Sequence, residues 1–377
     1  MSTQGTLSKS TVAPRLALVG IIALVIAGLA TLDRFLANAQ NVEVRRMAQR
    51  SYLDGLGFRR AGKVKDALEA FQKAHALERG NTEYELELID ALIAAGKPDE
   101  AERLMSDVLD REPNDGRANL LGAHLMIAKG KTAEAESYYH RAIYGEWPQD
   151  PAAHRVAVRM ELADFLAKKP EHQELLAELL PLQEEAGKDP RTEQHLAQLF
   201  LVAGSPSRAA EEYRALIKQD PKNAAAYAGL GQTELQSGEY RLAREAFLTA
   251  SAYKPADPSV RRQLELASTL AALDPTSRKL TSMEKYRRSL RILDLARSDL
   301  EQCIENHLAP ESDATLQLLT SANEALTSKP PKDITNEIAE KVLSLAEQTW
   351  QTRVKLCGPA TSRDEEPLRL IAERLAQ

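Results

Sequence analysis

Residues 224–257 read AAAYAGLGQTELQSGEYRLAREAFLTASAYKPAD, and the fold follows from this stretch. Ala224 to Ser237 and Tyr240 to Tyr253 read as two short helices, with Gly238 as the turn between them and Pro255 closing the second. Proline has no N–H to donate and its ring clashes with the preceding turn, so a helix stops there. Gly231 and Ala243 are small, as two closely crossing helices require, while Phe247 is large enough to fill the space beside the crossing. Ala250 admits the next element, and Tyr227 and Leu230 complete the apolar face.

Outward from this stretch, the pattern returns at one interval. Gly62, Gly96 and Gly130 stand 34 residues apart, as do Gly204 and Gly238. Ala67, Ala101 and Ala135 keep the same step, as do Ala209 and Ala243, and each is followed by a bulky residue: Phe71, Met105, Tyr139, Tyr213 and Phe247. A fixed period of this length marks one supersecondary unit stacked on itself, because a single helix pair cannot bury its apolar face alone. The repeats occupy 48–81, 82–115, 116–149, 156–189, 190–223 and 224–257, with an insertion from Asp150 to Arg155 after the third. The third departs modestly, with Ala123 as its small residue and Trp147-Pro148 as its stop. The fourth is degenerate: Pro170 replaces the turn glycine, and Leu175 and Leu182 replace small alanines.

Tyr227, Leu230, Gly231, Gly238, Tyr240, Ala243, Phe247, Ala250 and Pro255 resemble the tetratricopeptide repeat (TPR), of the membrane-anchored or exported bacterial type. The resemblance implies an all-α, right-handed solenoid whose concave groove is lined by the first helix of each pair. Those positions here are Tyr52, Leu56, Arg59, Leu86, Asp90, Ile93, Leu120, His124, Ile127, Gln194, Gln198, Leu201, Gln232 and Leu235. Some family members clamp acidic C-terminal tails with lysine and asparagine, but the corresponding first-repeat positions are Tyr52 and Leu56. The lining is apolar enough to suit an amphipathic helix laid along it, or the chain's own C-terminal helices.

Leu16 to Leu32 is an uncharged apolar run of 17 residues after Lys9 and Arg15. That is the lower limit for crossing a bilayer. The sequence therefore divides into a tail (1–15), a transmembrane or signal-anchor helix (16–36), a linker (37–47), the repeats (48–257), a capping helix (258–276) and a C-terminal helical region (277–377). Ala37-Asn38-Ala39 resembles a signal-peptidase site, which leaves a cleaved, soluble exported form as the alternative to a single-pass anchor. Basic residues after the run (Arg34, Arg45, Arg46 and Arg50) outnumber those before it, against export. Long downstream domains cross largely regardless of charge, which favours repeats outside the membrane, on the periplasmic side of a bacterium.

Past Pro258, helical stretches are expected at about Arg278 to Leu308, Ser312 to Ser328, Asp333 to Leu356 and Glu365 to Ala376. Short connections make the first and third of these parallel. Cys303 and Cys357, the only cysteines, then fall near one end of the bundle, either as a disulfide or as two buried thiols. The basic stretch Arg278, Lys279, Lys285, Arg287, Arg288 and Arg291 reads as a charged helix exterior, or as a contact for anionic lipid.

No metal, phosphate-loop or nucleophile-elbow motif is present. The histidines at 75, 124, 140, 154, 172, 195 and 307 lack ligand spacing, and the pairs Glu184-Glu185 and Glu211-Glu212 suit solvated faces. A net charge of −6 argues against nucleic acid as a partner. The expectation is a non-catalytic, membrane-tethered scaffold for a protein or peptide partner, without cofactor or metal. The alternatives are a self-associating anchor and an enzymatic site within 278–377. Partner identity and oligomeric state stay open.

Overall fold

The computed structural model describes residues 12–185, 187, 189–277, 280–306, 312–359 and 366–375; in the first helix it describes side chains from Leu24 onward, except at 25, 30 and 37. Among these residues the chain is helical, without a strand. The helices fall into two compact units divided between Leu162 and Ala163.

The first unit contains α1 (Val12–Arg60), α2 (Val64–Leu77), α3 (Thr82–Ala94), α4 (Pro98–Arg111), α5 (Gly116–Ala128), α6 (Thr132–Ile143) and most of α7 (Pro151–Leu166). Gly62, Gly96 and Gly130 end α1, α3 and α5 at φ 70°, 71° and 72°. Side chains rarely tolerate that left-handed conformation, so glycine recurs there. The next residue's N–H reaches back to close each helix, Lys63 to the Phe58 carbonyl, Lys97 to Leu92 and Lys131 to Met126, each at 2.9 Å. Asn81 and Asp115 then cap α3 and α5 by accepting from the Tyr84 and Ala118 N–H groups at 3.4 and 2.6 Å. Ala67, Phe71 and Ala74 are buried, as are Ala101, Met105 and Val108, and Ala135, Tyr139 and Ala142. A Cβ on Gly55 would lie 2.6 Å from the Phe71 ring, and one on Gly122 2.6 Å from Tyr138. In the third pair Ala123 is fully buried, and Gly122 beside it leaves room for the Tyr138 ring.

Residues 37–47, read as a linker, belong to α1, which runs unbroken from Val12 to Arg60. Neither proline nor glycine occurs from Leu29 to Asp54, so nothing interrupts the helix. Among the described residues no helix is long and apolar enough to cross a membrane. Most side chains of the Leu16–Leu32 run lie outside that set, so the expectation of a spanning segment is carried by its sequence. The insertion after the third repeat lengthens α7 at its start, with Asp150 accepting from the Ala153 N–H at 3.3 Å.

The second unit continues through α8 (Gln173–Glu185), α9 (Pro190–Val202), α10 (Pro206–Gln219), α11 (Ala224–Gln236), α12 (Tyr240–Tyr253) and α13 (Pro258–Leu273). Gly204 and Gly238 repeat the turn geometry at φ 68° and 71°. Asp189, Asn223 and Asp257 repeat the caps. In α8, Leu175, Leu179 and Leu182 are fully buried, so this degenerate pair packs with larger side chains than its neighbours.

Beyond α13 lie α14 (Ser282–Glu305), α15 (Asp313–Thr327), α16 (Asn336–Cys357) and α17 (Glu366–Leu375). α14 and α16 run parallel: Ser282 bonds Asn336 at their starts (3.0 Å), and Cys303 is paired with Cys357 in a disulfide at their ends, Cα atoms 6.3 Å apart. Ile292, Leu293, Leu343, Trp350, Leu368 and Ile371 form a core shared with Tyr240, Leu270 and Leu273 of the last repeat and its capping helix.

Candidate partner-binding surfaces

In the first unit the first helices of successive repeats lie side by side and exchange charges. Glu87 on α3 is 3% exposed and accepts from Arg59 of α1 and Arg117 of α5 at once. Arg59 also reaches Asp90 at 3.2 Å, and Arg117 reaches Glu83 at 2.9 Å. Tyr52 donates to Glu83 at 2.9 Å and packs 4.9 Å from Tyr84 between ring centroids. Its own burial, with the Glu83 bond and charge, pushes its hydroxyl up to about 12. The surface is a pre-paired ladder of two guanidiniums and several carboxylates, with partly exposed Leu56, Ile93 and Leu120, and Ile127 39% exposed, standing among them.

Leu86, assigned to the lining, is instead 3% exposed and belongs to the core. α3 is an inner helix, and every residue from Tyr84 to Ile89 is buried. Glu83, Glu87, Arg117 and Glu161 were missed by sequence reasoning. A signal existed: Glu83 and Arg117 occupy equivalent positions 34 residues apart with opposite charge.

His124 on α5 meets Glu161 on α7 at 2.5 Å, and Tyr139 donates to the same carboxylate at 2.9 Å. The Glu161 bond raises His124 above 6.5 against the opposing effect of burial. Burial pushes Glu161 up, but the bonds from His124 and Tyr139 and the His124 charge outweigh it and hold the carboxyl below 4.5. The histidine's contribution to stability is complete below 6.5 and lost as pH rises through its raised value. The carboxylate's contribution is complete above 4.5 and lost as pH falls through its lowered value. Proton NMR of His124 is expected to give a midpoint above 6.5 that falls in Glu161→Gln; an identical midpoint in both proteins contradicts the pairing.

In the second unit, Gln194 and Gln198 on α9 and Gln232 on α11 are partly or fully exposed. Leu201 packs partly against Ala197, Tyr213, Leu216 and Ala226. Leu235 is taken into the core shared with the C-terminal helices. The Tyr240 hydroxyl donates to the Leu370 carbonyl of α17 at 3.1 Å, and the Arg374 guanidinium stands 5.2 Å from the Tyr240 ring centroid. The C-terminal helices therefore cover the last repeat at Leu235 while Gln198 stays exposed.

The remaining motif residues have local roles. Arg288 donates to the Ala271 and Asp274 carbonyls at 2.8 and 2.9 Å, satisfying the end of α13. Lys285 pairs with Glu340 at 3.3 Å and Arg287 with Glu284 at 3.6 Å, Arg291 is exposed, and Arg278, Lys279 and His307 lie outside the described residues. His195 bonds Asp164 at 2.7 Å, His154 stacks on Trp147, and Glu212 accepts from Gln183 at 2.6 Å. Among the described residues no group of three His, Cys, Asp or Glu side chains is placed to hold a metal ion. Within 278–377, a pocket of about 380 Å³ between α16 and α17 has an apolar floor of Trp350, Val354, Ala372 and Leu375, with Glu347 and Glu373 at its rim. Gln351 and Lys355 complete its lining.

Residues 58–125 and 196–259 each match a family model described as tetratricopeptide repeat. The chain thus carries tetratricopeptide repeats in both units. Repeats of this class stack into extended surfaces for protein interaction. Cellulose synthase operon protein C of Pseudomonas fluorescens (strain SBW25) is 26% identical over 207 residues, which span 53% of this chain but only 16% of that protein. Among solved structures, YrrB, a TPR protein with an unusual peptide-binding site, is 18% identical with a TM-score of 0.39, covering 53% of this chain and 100% of its own. The C-terminal part of a TPR repeat-containing protein from Cytophaga hutchinsonii is 11% identical at 0.47, covering 63% and 92%. PilW, a type IV pilus biogenesis factor, is 15% identical at 0.41, covering 58% and 98%.

Proposed function

We propose that this protein is a non-catalytic scaffold, held at a membrane by Leu16–Leu32, that captures a protein or peptide partner on the first helices of its repeats in the cell envelope. The observation that carries this reading is the ladder of the first unit. Its apolar residues Leu56, Ile93, Leu120 and Ile127 stand among ion pairs that are already formed, so the surface needs little ordering on binding. Glu83, Glu87, Asp90 and Glu161 outnumber Arg59 and Arg117, which favours an amphipathic partner segment with basic residues beside its apolar ones.

The anchor reading is supported by the uninterrupted apolar run and by Leu24, Ile26 and Leu29 standing more than half exposed on a helix. A mature N-terminus beyond Ala39 would instead make the protein a soluble exported one. The test of the binding surface is a photo-crosslinking residue placed in intact cells at Ile127 or, as a control, at Ser106 on the outer helix α4. The expected result is one discrete adduct from Ile127 and none from Ser106; adducts from Ser106 alone contradict the assignment.

A further inference from the structure

From the last residues of the proposed anchor helix onward, α1 carries a second pattern. Leu32, Phe35, Leu36, Ala39 and Val42 share one face, and Asp33, Arg34, Asn38, Gln40 and Asn41 occupy the rest. A heptad with Leu32 and Ala39 at a, Phe35 and Val42 at d and Leu36 at e accounts for every large apolar residue from Leu32 to Val42, with Ala37 alone falling outside it at f. Leu32 is 53%, Phe35 69% and Val42 51% exposed. An exposed apolar stripe of this kind marks a contact site.

The chain's own repeats pack elsewhere on α1. Ala48, Ser51 and Gly55 are buried there, with Phe71 seated against Gly55, and in the same heptad they fall at c, f and c, away from a and d. The apolar face therefore points away from the helices that pack on α1.

We propose that a second copy of this chain covers that face, the two α1 helices forming a parallel, in-register pair over Leu32–Val42. This rests on the anchor reading. Two copies that leave the bilayer at the same residue hold equivalent positions at equal height, which is the alignment an in-register pair requires. The flanking charges agree. Across such a pair Asn38 at g faces Glu43 at e, an amide beside a carboxylate, with no like-charged pair inside the stripe. Arg46 and Gln49 then take the a and d positions, and Arg45 and Arg50 the flanks, so pairing ends after Val42. So short a contact is marginal in water and needs the bilayer to concentrate the helices in two dimensions.

The test is a cysteine scan of the full-length chain in native membranes, one substitution at a time, with mild oxidation. Phe35→Cys, Ala39→Cys and Val42→Cys are expected to give disulfide-linked dimers, and Asp33→Cys, Gln40→Cys and Asn41→Cys to give none. All six positions are exposed, so folding is preserved. Absence of dimers at every position, or dimers without the a/d spacing, overturns the pairing. Fractionation of the same samples separates the two readings: a membrane-bound chain without dimers loses only the pairing, whereas a soluble chain without dimers loses both.

Discussion

Phe247→Ala is expected to lower the unfolding free energy of the second unit by about 3–5 kcal/mol, the usual cost of deleting a buried aromatic ring. Phe247 is 1% exposed, packs with Ala243 and Ala267, and lies 2.9 Å from where a Cβ on Gly231 would stand. The ring therefore spans the crossing of α11 and α12 and touches the capping helix α13. Neither backbone can collapse into the space it leaves, because both helices are fixed by their neighbours. Stacked repeats are stabilised mainly by contacts with the next repeat, so the loss should be local. Hydrogen exchange is expected to show reduced protection through α11, α12 and α13 with α3–α6 unchanged. Protection equal to wild type across α11–α13 contradicts the packing.

Removing the disulfide is expected to cost about as much, by a different route. Cys303 and Cys357 are 54 residues apart in sequence, and closing a loop of that length in the unfolded chain is worth about 4 kcal/mol in the chain-entropy model. The bond joins the ends of the parallel helices α14 and α16, whose interior already holds Leu293, Ala346 and Trp350. Cys303→Ser with Cys357→Ser should thus retain helix content but unfold at markedly lower temperature, and reductant should do the same to the wild type. A non-reduced digest is expected to contain one linked peptide carrying both cysteines. Two freely alkylated thiols would contradict the bond and remove its support for an oxidising compartment.

The repeats were legible because their determinants are local. Glycine recurs at the left-handed turns, alanine at the crossings and an aromatic or methionine beside them, all with the same interval. The caps Asn81, Asp115, Asp189, Asn223 and Asp257 stand one residue before their helices and were passed over in reading the sequence by its repeat spacing. The binding surface was only half legible. Assigning a lining residue from one repeat's helical wheel fails for inner helices, which are contacted on several sides, and so Leu86 was placed outside when it is inside. The charge ladder needs the knowledge that first helices of adjacent repeats are neighbours. Glu87 meets Arg59 and Arg117 across 28 and 30 residues, spacings that no single-helix pattern contains. The lengthened α7 was missed because Pro151 was read within an insertion, though proline is at home in the first turn of a helix.

With the cross-linked partner in hand, the decisive measurement is its affinity for the purified protein and for the double variant Leu120→Asp with Ile127→Asp. Both side chains are already partly or well exposed, so the variant should keep wild-type helix content. Placing two carboxylates where apolar side chains are buried on binding is predicted to weaken affinity by at least about tenfold, more than 1.4 kcal/mol. Unchanged affinity with intact helices would mean that the partner binds elsewhere and that the first helices are not the recognition surface.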